Sequence, residues 1–209
     1  MPETGSLNDR REKTMKAYGF FAMMARLKWI DRWALMRNSS DENLAAHSLD
    51  VAMIAHALCV IGNERLGKDL DADRAAVIGM YHDVSEILTG DMPTPVKYFS
   101  REIRSAYRDI EKDANKRLLA LLPPDLRTQY ARVLEPGEEY SREKRLAKGA
   151  DKLSAYIKCI EERKAGNREF ENAEKTPLEA LHAMELEEVE IFLQEFIPAY
   201  EKTLDEIRP

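Results

Sequence analysis

Apolar residues recur along this chain at intervals of three and four almost throughout, and no run alternates in steps of two between turn residues. The pattern predicts an all-α fold without internal repeats. A first helix begins with Phe20, Phe21, Met24, Leu27 and Lys28, and Asp31 to Asn38 reads as a connection. Ser39 with Glu42 three residues on has the form of a capping box, predicting a helix from there through His56 to about Gly62. Asp71 caps a third, which stops at Gly90 ahead of the Pro93 and Pro95 loop. A helix from about Ser100 to Leu122, a shorter one opened by Pro124 and one from a Ser141 cap to Gly166 follow. Thr176, Pro177 and Glu179 open the last, which ends near Pro198.

Composition narrows the function classes. The 209 residues and 24.0 kDa suit a single domain over 15–209, preceded by an expected mobile segment at 1–14. The 32 basic and 38 acidic residues give a net charge of -6 with both signs interspersed, which does not suit a protein that must neutralise a long nucleic acid. Cys59 and Cys159 each fall within an apolar helical pattern, so no disulfide framework is expected and a reducing compartment is the simpler reading. No apolar run is expected to reach the ~20 residues of a membrane span, and Met1–Lys13 lacks the apolar core of a signal peptide. These features point to the cytoplasm, with no membrane partner.

The candidate chemistry starts at His82-Asp83, an imidazole and a carboxylate on neighbouring helical positions that can lean toward one ion at ~2.0–2.2 Å. Alone, such a pair reads equally as a surface pair. On the preceding helix His47 falls within the stripe of Leu44, Val51, Ile54 and Leu58, where a buried imidazole needs a partner: a backbone carbonyl or a metal. His56 lies nine residues from His47, about 180° around the helix by its ~3.6-residue period, and cannot serve the same ion. Asp151 borders the stripe of Leu146, Ala150, Leu153, Ile157 and Ile160, as a rim residue in water or a group paired with a cation. Three helices thus each place a ligand-type residue on or near an inward face.

His47, then His82-Asp83, then Asp151 resembles the ordered H…HD…D signature of HD-domain metal-dependent phosphohydrolases. The flanking segments resemble the bacterial 5′-deoxynucleotidase branch: 31–38 (DRWALMRN), 46–49 (AHSL), 150–156 (ADKLSAY) and above all 80–98 (MYHDVSEILTGDMPTPVKY). Met92 and Ala34 stand where that branch is expected to carry Leu and Pro. The resemblance implies an HD-domain helical bundle that hydrolyses 2′-deoxyribonucleoside 5′-monophosphates and acts as a homodimer. It implies that His47, His82, Asp83 and Asp151 bind one divalent transition-metal ion such as Co, Mn or Zn. It also implies that Glu86 and Asp91 assist the attacking water and the phosphate, and that Arg32 and Trp33 hold substrate, with His47, Asp83, Met92, Pro93, Thr94 and Asp151 around it.

Residue chemistry supports several of these roles. Two imidazoles and two carboxylates suit a borderline divalent ion and leave positions for water and a phosphate oxygen. Glu86 lies one turn from His82 and three residues from Asp83, so its carboxylate projects to the same side. Asp91 heads the stiff Asp-Met-Pro-Thr-Pro loop, Arg32 offers a planar fork for phosphate and Trp33 a stacking face for a base. The long patterns at Ser100–Leu122 and Pro177–Phe196 have apolar positions to spare for a dimer contact. Other HD-domain reactions remain as alternatives: phosphodiester or triphosphate cleavage, or di-iron oxygenation. A second metal would need extra ligands, and no His lies between His82 and His182, which favours one ion. A nucleotide-binding HD protein without turnover is the rival from another class, distinguished by phosphate release before and after chelation.

Overall fold

The computed structural model describes residues 17–97 and 99–208, leaving the expected mobile segment at 1–14 and the side chain of Thr94 outside the described residues. Its ordered elements are helical: α1 Phe20–Met24, α2 Leu44–Leu66, α3 Ala72–Tyr81, α4 Glu86–Thr89, α5 Thr94–Lys97, α6 Arg101–Ala120, α7 Pro124–Leu134, α8 Ser141–Lys164, α9 Phe170–Ala173, α10 Lys175–His182, α11 Glu187–Glu195, α12 Ile197–Tyr200 and α13 Leu204–Ile207. Short 3₁₀ turns cover Ala25–Trp29 and Glu138–Tyr140. Among the described residues there is no strand, only an isolated antiparallel bridge between Asp31 and Asn43.

Several ends follow the predicted chemistry. The Asp71 side chain accepts from Arg74 N–H to open α3, Ser100 accepts from Ile103 N–H to open α6, and Pro124 occupies the first turn of α7. Four expectations need correction. Ser141 is no cap: it is the first residue of α8, behind Tyr140, which makes no side-chain cap bond. Ser39 and Glu42 form no capping box; α2 starts at Leu44 behind Asn43, whose side chain accepts from the N–H groups of Ala45 and Ala46, and it runs past Gly62 to a left-handed Gly67. The third helix does not reach Gly90 but breaks at His82–Ser85. The last predicted helix is divided among α10, α11 and α12.

Two apolar clusters hold the bundle. The larger joins α2, α3, α8, α10 and α11 through Val51, Leu58, Ile78, Leu153, Leu181 and Val189; the smaller gathers Phe20, Leu44, Val84, Leu118 and Leu122. Gly79 lets α3 approach α2 closely: a methyl there would lie 3.0–3.1 Å from backbone atoms of Val51 and Ala52. By length and composition α2 could cross a membrane, contrary to the expectation that no apolar run comes near that length. Its apolar stretch is 56% buried inside the protein, the condition of a core helix.

Candidate metal centre

His47 sits on α2 between Leu44 of the smaller cluster and Val51 of the larger, and it is fully buried. Its Nδ1 lies 3.0 Å from Ser154 Oγ on α8, leaving Nε2 directed at Asp151 Oδ1 (3.2 Å) and Asp83 Oδ2 (3.7 Å). His82 terminates α3 and donates from Nδ1 to the Gly79 carbonyl at 2.7 Å. A carbonyl can only accept, so that bond fixes the proton on Nδ1 and frees the Nε2 lone pair. His82 Nε2 lies 2.9 Å from Asp83 Oδ2 and 3.7 Å from Asp151 Oδ1.

The backbone makes this convergence possible. After α3 the bonding switches to i→i+3 contacts: Val84 N–H to Tyr81 O, Glu86 N–H to Asp83 O, Ile87 N–H to Val84 O and Leu88 N–H to Ser85 O. A 3₁₀ turn eclipses residues three apart, so Asp83 and Glu86 share a side. Both buried Nε2 atoms lack an aligned hydrogen bond, although burial normally demands one. One ligand atom from each of His47, His82, Asp83 and Asp151 lies within 4.8 Å of the others, close to the spread of four donors at ~2.0–2.2 Å from one ion. The donor set therefore fits a divalent cation.

The electrostatics are those of a site built around a positive charge. Burial pulls the His82 imidazole down, but the Asp83 and Asp151 carboxylates outweigh it and raise it well above the ordinary histidine value. Burial raises Asp83 and Asp151, yet the imidazoles beside them bring Asp83 below and Asp151 well below the usual carboxylate range. Glu86 is buried on α4 with Oε2 unpaired and Oε1 3.7 Å from Lys97 Nζ. Burial, then the Asp83 and Asp91 carboxylates, push it up to about 8. Burial also raises Asp91, whose carboxylate accepts from the Trp33 backbone N–H and faces Arg32 and Lys97.

The segment 31–43 forms the other wall. Its neck is closed by Arg32 N–H to Glu42 O and Leu44 N–H to Ile30 O, both at 2.9 Å. Arg32 reaches Asp83 Oδ2 through Nη1 at 3.7 Å and Glu42 Oε2 through Nε at 3.2 Å. Trp33 has a left-handed backbone, φ 60°, that a bulky residue holds only under restraint. Its indole N–H donates to Glu42 Oε2 at 2.8 Å and its ring packs against Phe170 at 5.4 Å. The predicted Arg32, Trp33, His47, His82, Asp83, Glu86, Asp91 and Asp151 thus meet in one place. Met92 and Pro93 lie half-buried in the adjoining loop. Glu42 and Ser154 were missed: Glu42 was assigned to a cap, and Ser154 gave only the signal of lying one turn after Asp151.

The chain matches the family described as 5′-deoxynucleotidase YfbR-like over residues 19–200. It is 49% identical over 194 residues to 5′-deoxynucleotidase YfbR of Escherichia coli, covering 92% of this chain and 97% of that protein. An HD-domain phosphohydrolase of Listeria innocua superposes with a TM-score of 0.76 at 25% identity, over 87% of each chain. The HD phosphohydrolase DatZ of cyanophage S-2L, solved with dA and one catalytic Zn2+ ion, shares the fold with a TM-score of 0.60 at 20% identity, over 87% of this chain and 96% of its own. Sequence and fold together place the chain in the YfbR-like 5′-deoxynucleotidase family of HD-domain phosphohydrolases.

Proposed function

We propose that the chain hydrolyses 2′-deoxyribonucleoside 5′-monophosphates to deoxyribonucleoside and phosphate, with one divalent cation held by His47, His82, Asp83 and Asp151. The observation that carries this is the pair of buried imidazole Nε2 atoms, neither in an aligned hydrogen bond, converging with the Asp83 and Asp151 carboxylates beside the unpaired Oε2 of Glu86. A cation held there supplies Lewis-acid polarisation of a phosphate oxygen and lowers the pKa of a water. Glu86 Oε2 takes the proton from the attacking water; a nearby positive charge would draw its pKa down from about 8 into the working range. Arg32 and Lys97 hold the phosphate, and Asp91, whose pKa burial raises, borders it and orients the Arg32 and Lys97 cations that face it. Trp33 flanks the nucleoside, a sequence-tolerant contact that suits several bases.

Cobalt, manganese and zinc are all candidates, because a His/Asp donor set accepts each. Cytoplasmic residence fits two buried free thiols whose pKa values burial pushes up to about 12. A homodimer suits the outward row of Leu49, Met53 and Val60 on α2 together with Phe196, all exposed; a dimer mass in solution is the expected result and a monomer mass at micromolar concentration rejects it. The reaction is tested by phosphate release from ribo- and deoxyribonucleoside 5′-monophosphates with each ion and with chelator. Release from the deoxynucleotides, abolished by chelation, is expected. Turnover confined to phosphodiesters or triphosphates, or binding without turnover, overturns the proposal.

A further inference from the structure

Helix α8 carries two groups of the metal centre, Asp151 and Ser154, and then two more buried polar residues, Lys158 and Glu162. Relative to Asp151 these stand at i+3, i+7 and i+11, so all four lie along one stripe of a helix with a ~3.6-residue period. A buried ion pair is a weak source of stability, because apolar side chains of the same volume do as well or better. The pair here is spent on a loop. Glu162 accepts from Ser39 N–H at 2.8 Å and Ser40 N–H at 3.3 Å, while Lys158 Nζ donates to the Ser40 carbonyl at 2.6 Å and to Glu162 at 2.5 Å. Asn167 Nδ2 donates both to Glu162, at 2.8 Å, and to the Arg37 carbonyl, at 2.6 Å. Glu169 accepts from Arg37 N–H at 2.9 Å, and Phe170, next in the chain, packs on Trp33.

The loop gripped in this way is the one that carries Arg32, Trp33 and Glu42. Its neck is pinned to the start of α2, Arg32 and the Trp33 N–H reach Asp83 and Asp91 at the site itself, and the far side is held at Arg37, Ser39 and Ser40 by Glu162, Lys158, Asn167 and Glu169. We infer that Glu162 is a positioning residue for the reaction: through the backbone of Ser39 and Ser40 it fixes the 31–43 loop, and with it Arg32 and Trp33, relative to Asp151 on the same rigid helix. Eleven residues at ~1.5 Å each make α8 a spacer of about 16 Å between the cation ligand and the loop anchor. This role rests on the assignment of Arg32 and Trp33 to substrate.

All the groups around the Glu162 carboxylate are donors, so a carboxamide must turn its NH2 toward one of them. Glu162→Gln therefore loosens the loop with almost no change in volume. Expected is a fall in kcat/KM on the order of 10²-fold, the cost of misplacing a substrate clamp by about an ångström, with bound cation per chain unchanged. The decisive readout is a double-mutant cycle. In an Arg32→Ala/Trp33→Ala background the same Glu162→Gln change should cost no more than about twofold, because the groups it positions are gone. Asn167→Ala, which removes one donor and leaves the ion pair, takes its place in the cycle should Glu162→Gln not fold. An equal loss in both backgrounds, or no loss in the wild-type background, overturns the positioning role. Arg32→Ala with unchanged kcat/KM instead overturns the assignment of Arg32 to substrate.

Discussion

Glu86 illustrates how one side chain can carry a mechanism and a stability signature together. Its folded pKa of about 8 lies above the ordinary 4.5, so across that window the folded chain holds a proton that the unfolded chain has released. Its contribution to stability accordingly falls as pH rises from about 4.5 to about 8. In cation-free protein, Glu86→Gln should flatten that part of the pH–stability curve measured by denaturant unfolding; an unchanged slope would place the proton elsewhere. In loaded enzyme the same substitution should cut kcat by about 10²–10⁴-fold while cation and nucleotide still bind, and near-normal kcat would remove Glu86 from the chemistry. The groups legible in the sequence are those whose type is rare on an inward face: His47, the His82-Asp83 pair, Asp151, and Glu86 through its spacing. Ser154 and Glu42 were not legible, because a serine or glutamate gains its meaning only from a partner brought up by the fold. Ser154 meets His47 across 107 positions of sequence, and Glu42 acquires its role from the indole of Trp33 and the guanidinium of Arg32.

Among the elements, the closely packed pair α2 and α3 places His47 against His82, whose ring centres are 5.2 Å apart. Gly79 controls that approach twice over, by lacking a Cβ beside the Val51–Ala52 backbone and by offering the carbonyl that orients His82. Gly79→Ala should therefore destabilise the fold by about 1–3 kcal/mol, the usual cost of overpacking, and weaken cation binding as the two helices part. Full stability with unchanged cation affinity would show that the helices have room to spare. Asn43→Ala should cost ~1 kcal/mol in thermal or denaturant unfolding through loss of the cap of α2, whereas Ser39→Ala should leave helix stability unaltered. That contrast tests why the helix start was misread. Ser39 and Glu42 have the spacing of a capping box, but Ser39 N–H is taken by Glu162 and the Glu42 carboxylate by Arg32 and Trp33, leaving Asn43 to cap. The break after Tyr81 was hidden for a related reason. A switch from i→i+4 to i→i+3 bonding leaves the apolar spacing nearly intact.

Across the molecule, the candidate metal centre lies where the two apolar clusters meet and draws on α2, the turn after α3, and α8. The all-helical class and most helix positions could be read from periodicity, since burial of one face is a local pattern. The joining of the two clusters, and the reach of α8 to the 31–43 loop, are contacts between distant segments that periodicity does not record. A cation that binds only the folded arrangement ties these parts together and adds RT ln(1 + [L]/Kd), about 4 kcal/mol at a thousandfold excess over Kd. Chelation should lower the unfolding midpoint accordingly, and His82→Ala should abolish the difference between loaded and chelated protein. The most direct test of a four-ligand hydrolytic centre is to measure bound divalent cation per chain and phosphate release from a 2′-deoxynucleoside 5′-monophosphate on the same samples of wild type and Asp151→Asn. Loss of both together in Asp151→Asn is the predicted result, and cation content or turnover persisting at the wild-type level would contradict it.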